Sequence, residues 1–220
     1  YVVVHRRLLN DQKPYVYLTN DYGATWSLLT PGTNGIPADH VMRVVREDPN
    51  REGLLYAGSQ FGFFISYDNG RNWQRFQQNL PITPVTDIRI HQKDLVVSTM
   101  GRGFWILDNI TSLHQTPSTT GAGFLYAPRP AVRARHAAMV GSLTTPELPG
   151  PGAQIDYTLR EAAAAPITLE ILGASGEVFR TIRSVAGGAA TGRGLPVAQA
   201  SGMTEPPLPG GSCRSARACW

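Results

Sequence analysis

An arginine held between two glycines, Gly101-Arg102-Gly103, is the residue best suited by type and setting to bind a ligand in this 220-residue chain. Glycine on either side lets the backbone turn tightly, so the guanidinium can stand clear of it and bind a carboxylate, a phosphate or a sugar hydroxyl, or stack on an aromatic ring. The structural alternative is an arginine that bonds carbonyls of a neighbouring turn. His40 beside Asp39 has the make-up of a general acid or base, although a lone surface histidine is more often inert. Gln60 and Phe61 supply an amide and an aromatic plate in another turn. Trp105 could stack on a sugar, but alternation along Phe104-Trp105-Ile106-Leu107 leaves both faces of that run apolar and favours core packing. No Ser-His-Asp elbow, phosphate loop or clustered set of metal ligands is visible, so neither a metal nor a cofactor is expected and no catalytic residue is assigned.

These residues depend for their placement on short strands. Thr19-x-Asp21-x-Gly23-x-x-Trp26 returns as Ser66-x-Asp68-x-Gly70-x-x-Trp73, each copy after an apolar run and before another strand-like run. Such spacing predicts a hairpin turn. The Asp accepts backbone N–H groups two and three residues on, the Gly takes the φ > 0 position, and the Ser or Thr hydroxyl adds a local donor and acceptor. The Trp fills the gap to a neighbouring sheet. Around the second copy the unit is complete: Val41 to Arg46, Leu54 to Gly58, Phe63 to Tyr67 and Trp73 to Phe76 read as four short strands, as in one propeller blade. A third unit, Val85 to His91, Leu95 to Met100 and Phe104 to Leu107, lacks the repeated turn, because Asp108-Asn109-Ile110-Thr111 departs from the pattern. Before the first copy, Tyr1 to Leu9 and Pro14 to Thr19 read as two β-rich runs.

The repeated turn resembles the Asp-box, or bacterial neuraminidase repeat, of sialidases, sortilin-type propellers and xyloglucanase-like glycosidases. The stretches Val41 to Pro49, Leu54 to Gly58 and Gly101 to Asp108 are similar to the end of the propeller in large exported bacterial proteins of that kind. The resemblance implies an all-β protein: a partial β-propeller of about two and a half four-stranded blades, an incomplete β-sandwich and a disordered tail. It also implies extracellular or periplasmic residence, further blades upstream of Tyr1, and a polysaccharide or polypeptide ligand. In a propeller the turn after strand two and the connection after strand four share one mouth. That places Gln60, Phe61, Arg102, Asp39, His40 and Thr83 at the mouth, with the structural residues Thr19, Asp21, Gly23, Trp26, Ser66, Asp68, Gly70 and Trp73 at the other end. Glycoside hydrolysis needs two carboxyl groups about 5 Å or about 6.5–9.5 Å apart. Mouth acids are few, Asp39 and Asp87, so in the enzymatic alternative a xyloglucanase-like hydrolase draws its acids from elsewhere in a longer chain. The favoured reading is a binding or scaffold module.

The domain reading is 1–112 for the final blades, 113–123 for a linker, 124–183 for part of a fibronectin- or immunoglobulin-like sandwich, and 184–220 for a Gly/Ala/Pro/Arg tail. Because the sandwich pattern is interrupted mid-fold, a truncation or frame error at the C-terminus is also expected. The net charge of +4 does not point to nucleic acid: residues 1–110 carry 11 basic and 10 acidic side chains, and the excess arginines follow without interleaved aromatics. Cys213 and Cys219 can close a small disulfide or remain two thiols in the tail. No apolar run reaches the roughly 20 residues that span a bilayer. A stack of blades left uncovered on one side predicts an oligomeric or poorly soluble chain.

Overall fold

The computed structural model describes residues 1–118, 120–131, 153–161, 165–184 and, as backbone, 200–202. Among them the regular structure is all-β, with two short 3-10 turns at Arg7–Leu9 and Ile110–His114. Two compact units divide between Thr116 and Pro117.

The first unit holds three antiparallel sheets. β1 (Val2–Val3), β2 (Val16–Leu18) and β3 (Ser27–Leu28) form the first; β4 (Met42–Glu47), β5 (Leu55–Ser59), β6 (Phe63–Ser66) and β7 (Gln74–Arg75) the second; β8 (Val85–His91), β9 (Asp94–Thr99) and β10 (Phe104–Leu107) the third. Each is a meander, with every strand paired to its neighbour in sequence. The repeated turn follows β2 in the first sheet and β6 in the second. β2 is therefore a third strand, and the first sheet supplies strands two to four. The third sheet supplies strands one to three. Ten strands thus amount to two and a half four-stranded blades of a partial propeller.

Equivalent details recur between the second and third sheets. The first strand of each carries an irregularity at its start, at Met42/Val44 and at Val85/Asp87. The turn after the second strand is tied to the residue preceding the first strand by Gln60 N–H to Val41 O and by Met100 N–H to Pro84 O, both 2.9 Å. Ser59 N–H to Gly62 O (2.9 Å) and Thr99 N–H to Gly103 O (3.1 Å) close the two turns alike. Gly62 therefore corresponds to Gly103, and Phe63-Phe64-Ile65 to Phe104-Trp105-Ile106.

The sheets stack face to face because the middle one is apolar on both sides. β5 and β6 are buried along their whole length. Leu55, Ala57 and Phe64 join Val16, Ile36, Met42, Val45 and Trp73 in a core against the first sheet, where Val3 and Leu29 close it. Side chains alternate along a strand, so Tyr56, Gly58, Phe63 and Ile65 face the third sheet. A Cβ on Gly58 would lie 2.5 Å from Val85 Cγ1 and 2.8 Å from Val44 Cγ1, which shows how closely β5 approaches β8.

The first nine residues depart from the expected strand. Only Val2–Val3 pairs, and Arg7–Leu9 winds into a 3-10 turn closed by Leu9 N–H to Arg6 O. Leu8 and Leu9 are exposed, so no apolar partner draws this stretch into the sheet. Arg6 instead pairs with Asp11 at 3.0 Å and lies over the Tyr15 ring.

In the second unit β11 (Gly123–Leu125) pairs antiparallel with β12 (Ile155–Leu159), and β13 (Thr168–Leu172) with β14 (Val178–Arg183). The hairpin turn between the last two places Gly176 at φ 87, where glycine alone is unstrained. β15 (Ala200–Gly202) lies parallel to β12, beyond Arg183, where the strand pattern in the sequence stops. Residues 132–152, within the expected sandwich, both cysteines and most of the 184–220 tail lie outside the described residues.

Candidate functional site

The two ends of the sheet stack are built differently. At one end are the repeated turns, which match bond for bond. The Thr19 hydroxyl accepts the N–H groups of Asp21 (3.3 Å) and Gly23 (2.8 Å) and donates to Asp21 Oδ1 (2.8 Å). Ser66 does the same with Asp68 (3.4 Å), Gly70 (2.9 Å) and Asp68 Oδ1 (2.9 Å). Asp21 then accepts the Thr25 N–H (2.8 Å) and hydroxyl (2.6 Å), and Asp68 the Asn72 N–H (2.9 Å) and side-chain amide (2.7 Å).

The carboxylate thus reaches four residues on, where two and three were expected, and the hydroxyl takes the nearer N–H groups. Consecutive left-handed residues cause the difference: Tyr22 and Gly23 have φ 56 and 95, Asn69 and Gly70 φ 60 and 79, and together they swing the backbone around the hydroxyl. Thr25 and Asn72, which complete the two turns, were not legible as members of the motif.

Bonds from Thr25 and Thr19 hold the Asp21 carboxyl down at about 2. At Asp68 burial pushes upward, but bonds from Asn72 and Ser66 outweigh it and the net shift is down. Both acids are committed to the fold. Trp73 is 3% exposed and donates its indole N–H to Leu29 O of the first sheet, whereas Trp26 is 47% exposed and bonds Gly23 O within its own turn. Trp73 has a sheet to pack on; the corresponding side of the first sheet is open.

The opposite end carries the candidate binding residues. Ser59 is buried, accepts the Phe61 N–H at 3.1 Å and donates to Gly62 O at 3.2 Å. With that proton on Gly62 O, His40 Nδ1 at 3.1 Å is the donor to Ser59 Oγ, which leaves Nε2 as an acceptor. The imidazole meets Phe61 and Phe64 edge-on, each with ring centres 5.5 Å apart. Burial lowers its pKa, opposed by Asp39 and assisted by Arg75, so the neutral ring is favoured. Phe61 is exposed, and the Gln60 side chain is half-buried beside it.

The turn after the third sheet's second strand places Arg102 in the corresponding position. Gly101 and Gly103 have φ 84 and 70, and a Cβ on either would meet nothing within 4 Å, so the turn is open. The Arg102 side chain is exposed and forms no hydrogen bond or ion pair among the described residues, while its carbonyl accepts the Trp105 indole N–H at 2.9 Å. His40 and Phe61 are in contact; Arg102 lies on the next sheet. Thr83 bonds Met100 O and serves the turn. Asp87 is held by Arg46 at 2.7 Å and Arg89 at 3.9 Å, which leaves Asp39 as the exposed acid of the pair considered above.

One polar cluster escaped the sequence reading. Asp48, with its side chain fully buried, accepts Tyr56 OH (3.0 Å), the Asn50 N–H (2.8 Å) and Asn50 Nδ2 (3.2 Å), and lies 2.8 Å from His114 Nε2. Burial, then the Asp48 charge, push the Tyr56 hydroxyl well above its ordinary range. Arg51 crosses to Leu113 O at 2.6 Å and to Thr116 Oγ1 at 3.3 Å. The partners lie in the β4–β5 turn, in β5 through Tyr56 and in the segment after β10, so the cluster pins that segment to the β4–β5 turn. Among the described residues no group of three or more His, Cys, Asp and Glu side chains is placed to hold a metal ion, and no helix is long and apolar enough to cross a membrane.

No protein-family model, curated protein or solved structure matches the chain.

Proposed function

We propose that the first unit is part of an Asp-box-type propeller in an exported bacterial protein, a binding or scaffold module that takes a glycan or polypeptide at the end carrying His40, Gln60, Phe61 and Arg102. Further blades of the longer protein complete the mouth. The observation that carries the reading is the contrast between the two ends: at one the polar side chains are used up in closing turns, at the other an exposed aromatic ring beside a neutral imidazole, and a guanidinium unpaired among the described residues, remain available. An aromatic plate stacks on a sugar or an apolar side chain, and an arginine fork bonds hydroxyls or carboxylates.

The full chain is screened on arrays of glycans and of peptides, and against β-glucan for hydrolysis. Binding without turnover is expected, and Phe61→Ala and Arg102→Ala each weaken it by about tenfold or more, the equivalent of about 1.4 kcal/mol. Binding that survives both substitutions, or hydrolysis by the chain alone, overturns the proposal.

A further inference from the structure

The first strands of the second and third sheets each carry one residue more than the strand they pair with. Met42 pairs with Ser59 and Val44 with Gly58, which leaves Arg43 over; Val85 pairs with Thr99 and Asp87 with Ser98, which leaves Thr86 over. An extra residue of this kind bends the strand and re-aims a side chain. Arg43 lies at the end that carries Gln60 and Phe61, because its neighbour Met42 is paired with Ser59, whose hydroxyl bonds both His40 and the Phe61 N–H.

The other charged side chains of these two strands are spent within the fold. β4 and β8 are edge strands of their sheets, and side chains take main-chain groups that have no sheet partner there. Arg46 donates to Val45 O at 3.2 Å and to Asp87 Oδ1 at 2.7 Å, and Asp87 Oδ1 also accepts the Ile88 N–H at 2.9 Å. Arg89 stands 3.9 Å from Asp87 Oδ2, and at the far end of β4 Glu47 accepts the Gly53 N–H at 3.0 Å. Thr86 bonds Ser98 at 2.7 Å. Arg43 is different. It is half-buried, its Nε is enclosed with no acceptor, and its guanidinium makes no hydrogen bond or ion pair among the described residues, while its two terminal nitrogens stay within reach of solvent. Enclosing part of an unpaired cation weakens a fold. The fold does not require one at this position, since the third sheet places an exposed threonine there.

We infer that Arg43 binds an oxyanion, the carboxylate, phosphate or sulfate of an acidic ligand, end-on through its two terminal nitrogens. Two parallel N–H groups of a guanidinium match two oxygens of such a group and hold it in one orientation. The inference rests on the reading of this end as the ligand end and narrows it, because the ligand then has to carry a negative charge.

The test is NMR of the full 220-residue chain labelled with nitrogen-15, the Arg43 Nε–H signal being assigned by its loss in Arg43→Met. That N–H is enclosed, so it exchanges with water slowly enough to be followed. Acetate, inorganic phosphate and sulfate are each titrated against chloride at constant ionic strength. A saturable shift of the Arg43 signal and of the Met42 and Val44 amides is expected with at least one of the three, and the anion that binds tightest identifies the kind of group; the signals of Arg46 and Arg89 stay in place. Arg43→Met keeps an unbranched stem and removes the charge, so the amide shifts disappear while the melting temperature stays at or above that of the wild type. Phe61→Ala, which weakens capture of the ligand, leaves the anion titration unchanged. Anion binding at Arg43 without any capture on the arrays therefore counts against the binding module and upholds the arginine's role. No saturable shift with any of the three anions overturns the inference, as do array binding confined to neutral glycans and peptides and a fall in melting temperature of more than about 4 °C in Arg43→Met, which would make the arginine part of the fold.

Discussion

Replacing Gly58 by alanine tests the stacking of the sheets with a single carbon atom. Gly58 lies inside β5 at an ordinary strand conformation, so alanine meets no backbone strain. In an uncrowded strand the change would help, by about 0.5–1 kcal/mol, because glycine loses more chain entropy on folding. The added Cβ falls 2.5 Å from Val85 Cγ1, 2.7 Å from Val85 Cβ and 2.8 Å from Val44 Cγ1, distances that real Cβ contacts do not show. Two χ1-stiff valines, or the sheets themselves, must move. Overpacking of this kind costs about 1–3 kcal/mol, and three simultaneous contacts argue for its upper half. The net expectation is a loss of about 1–2 kcal/mol, or roughly 4–10 °C in Tm for a unit of this size.

Urea denaturation followed by tryptophan fluorescence, with buried Trp73 reporting on the first unit, measures the loss. Val85→Ala removes the closest of the three atoms, so Gly58→Ala should cost less in that background than in the wild type, a coupling of at least about 0.5 kcal/mol. Gly101→Ala is the control: its Cβ meets nothing within 4 Å, and its φ of 84 leaves only backbone strain, about 1 kcal/mol, which Val85→Ala cannot relieve. A Gly58→Ala protein as stable as the wild type would refute the approach of β5 to β8, and with it the stack.

Asp68→Ala removes the acceptor of the Asn72 N–H, the Asn72 amide and the Ser66 hydroxyl, and is expected to cost about 1–2 kcal/mol in a urea melt, as lost helix caps do. The folded Asp21 carboxyl lies at about 2 and that of Asp68 below its ordinary 3.8, so the contribution of each is complete above that pH and is lost as the pH falls through its folded value. Stability measured between pH 5 and about pH 2 should therefore drop, and drop less in Asp21→Asn, a pattern that a flat wild-type profile would contradict. Asp48→Ala strips a buried acceptor from Tyr56, Asn50 and His114 and should cost about 3–5 kcal/mol by the same melt; a loss below about 1 kcal/mol would show the cluster to be incidental.

What could be read in advance follows from how local the cause is. Thr19, Asp21, Gly23 and their later counterparts are specified by the turn itself, where a hydroxyl, a carboxylate and a residue free to take φ > 0 sit within five positions. The four-strand unit around β4 to β7 was legible because β5 and β6 are apolar runs, Trp73 and Phe76 bracket β7, and the breaks carry Asp, Asn, Gln and Gly. Thr25 and Asn72 were not, because two different side chains make the same bond and no shared letter marks the position. The Asp48 to His114 contact joins residues 66 apart, and nothing near either announces the other. The exposure of Phe104 and Ile106 among the described residues runs against their composition, which calls for burial, and nothing in the local pattern announces it.

Hydrogen-bond accounting separates the two ends of the stack more sharply than residue type does. At the Asp21 and Asp68 end, a turn containing two left-handed residues leaves several N–H groups without sheet partners, and although the Asp21 and Asp68 carbonyls take the Ala24 and Arg71 N–H groups at 3.3 Å, the shorter bonds go to the side chains of the turn itself. Any acid or hydroxyl placed there is drawn into the backbone and has little left to offer a ligand. At the Gln60 and Arg102 end the N–H groups of Ser59, Gln60, Thr99 and Met100 bond main-chain carbonyls, two of them on the residue just before the adjoining first strand. The Ser59, Thr83 and Thr99 hydroxyls add bonds there, but no side chain at 60, 61 or 102 closes its turn, which is why Phe61 can be aromatic and Arg102 can be charged, and unpaired among the described residues, without cost to the fold. Sequence change at the first end is constrained by stability and at the second by what is bound, so a library randomised at 60, 61 and 102 should retain its melting temperature while one randomised at 19, 21, 66 and 68 should not. A uniform loss of stability across both libraries would show that the Gln60 and Arg102 turns also hold the fold together through their side chains.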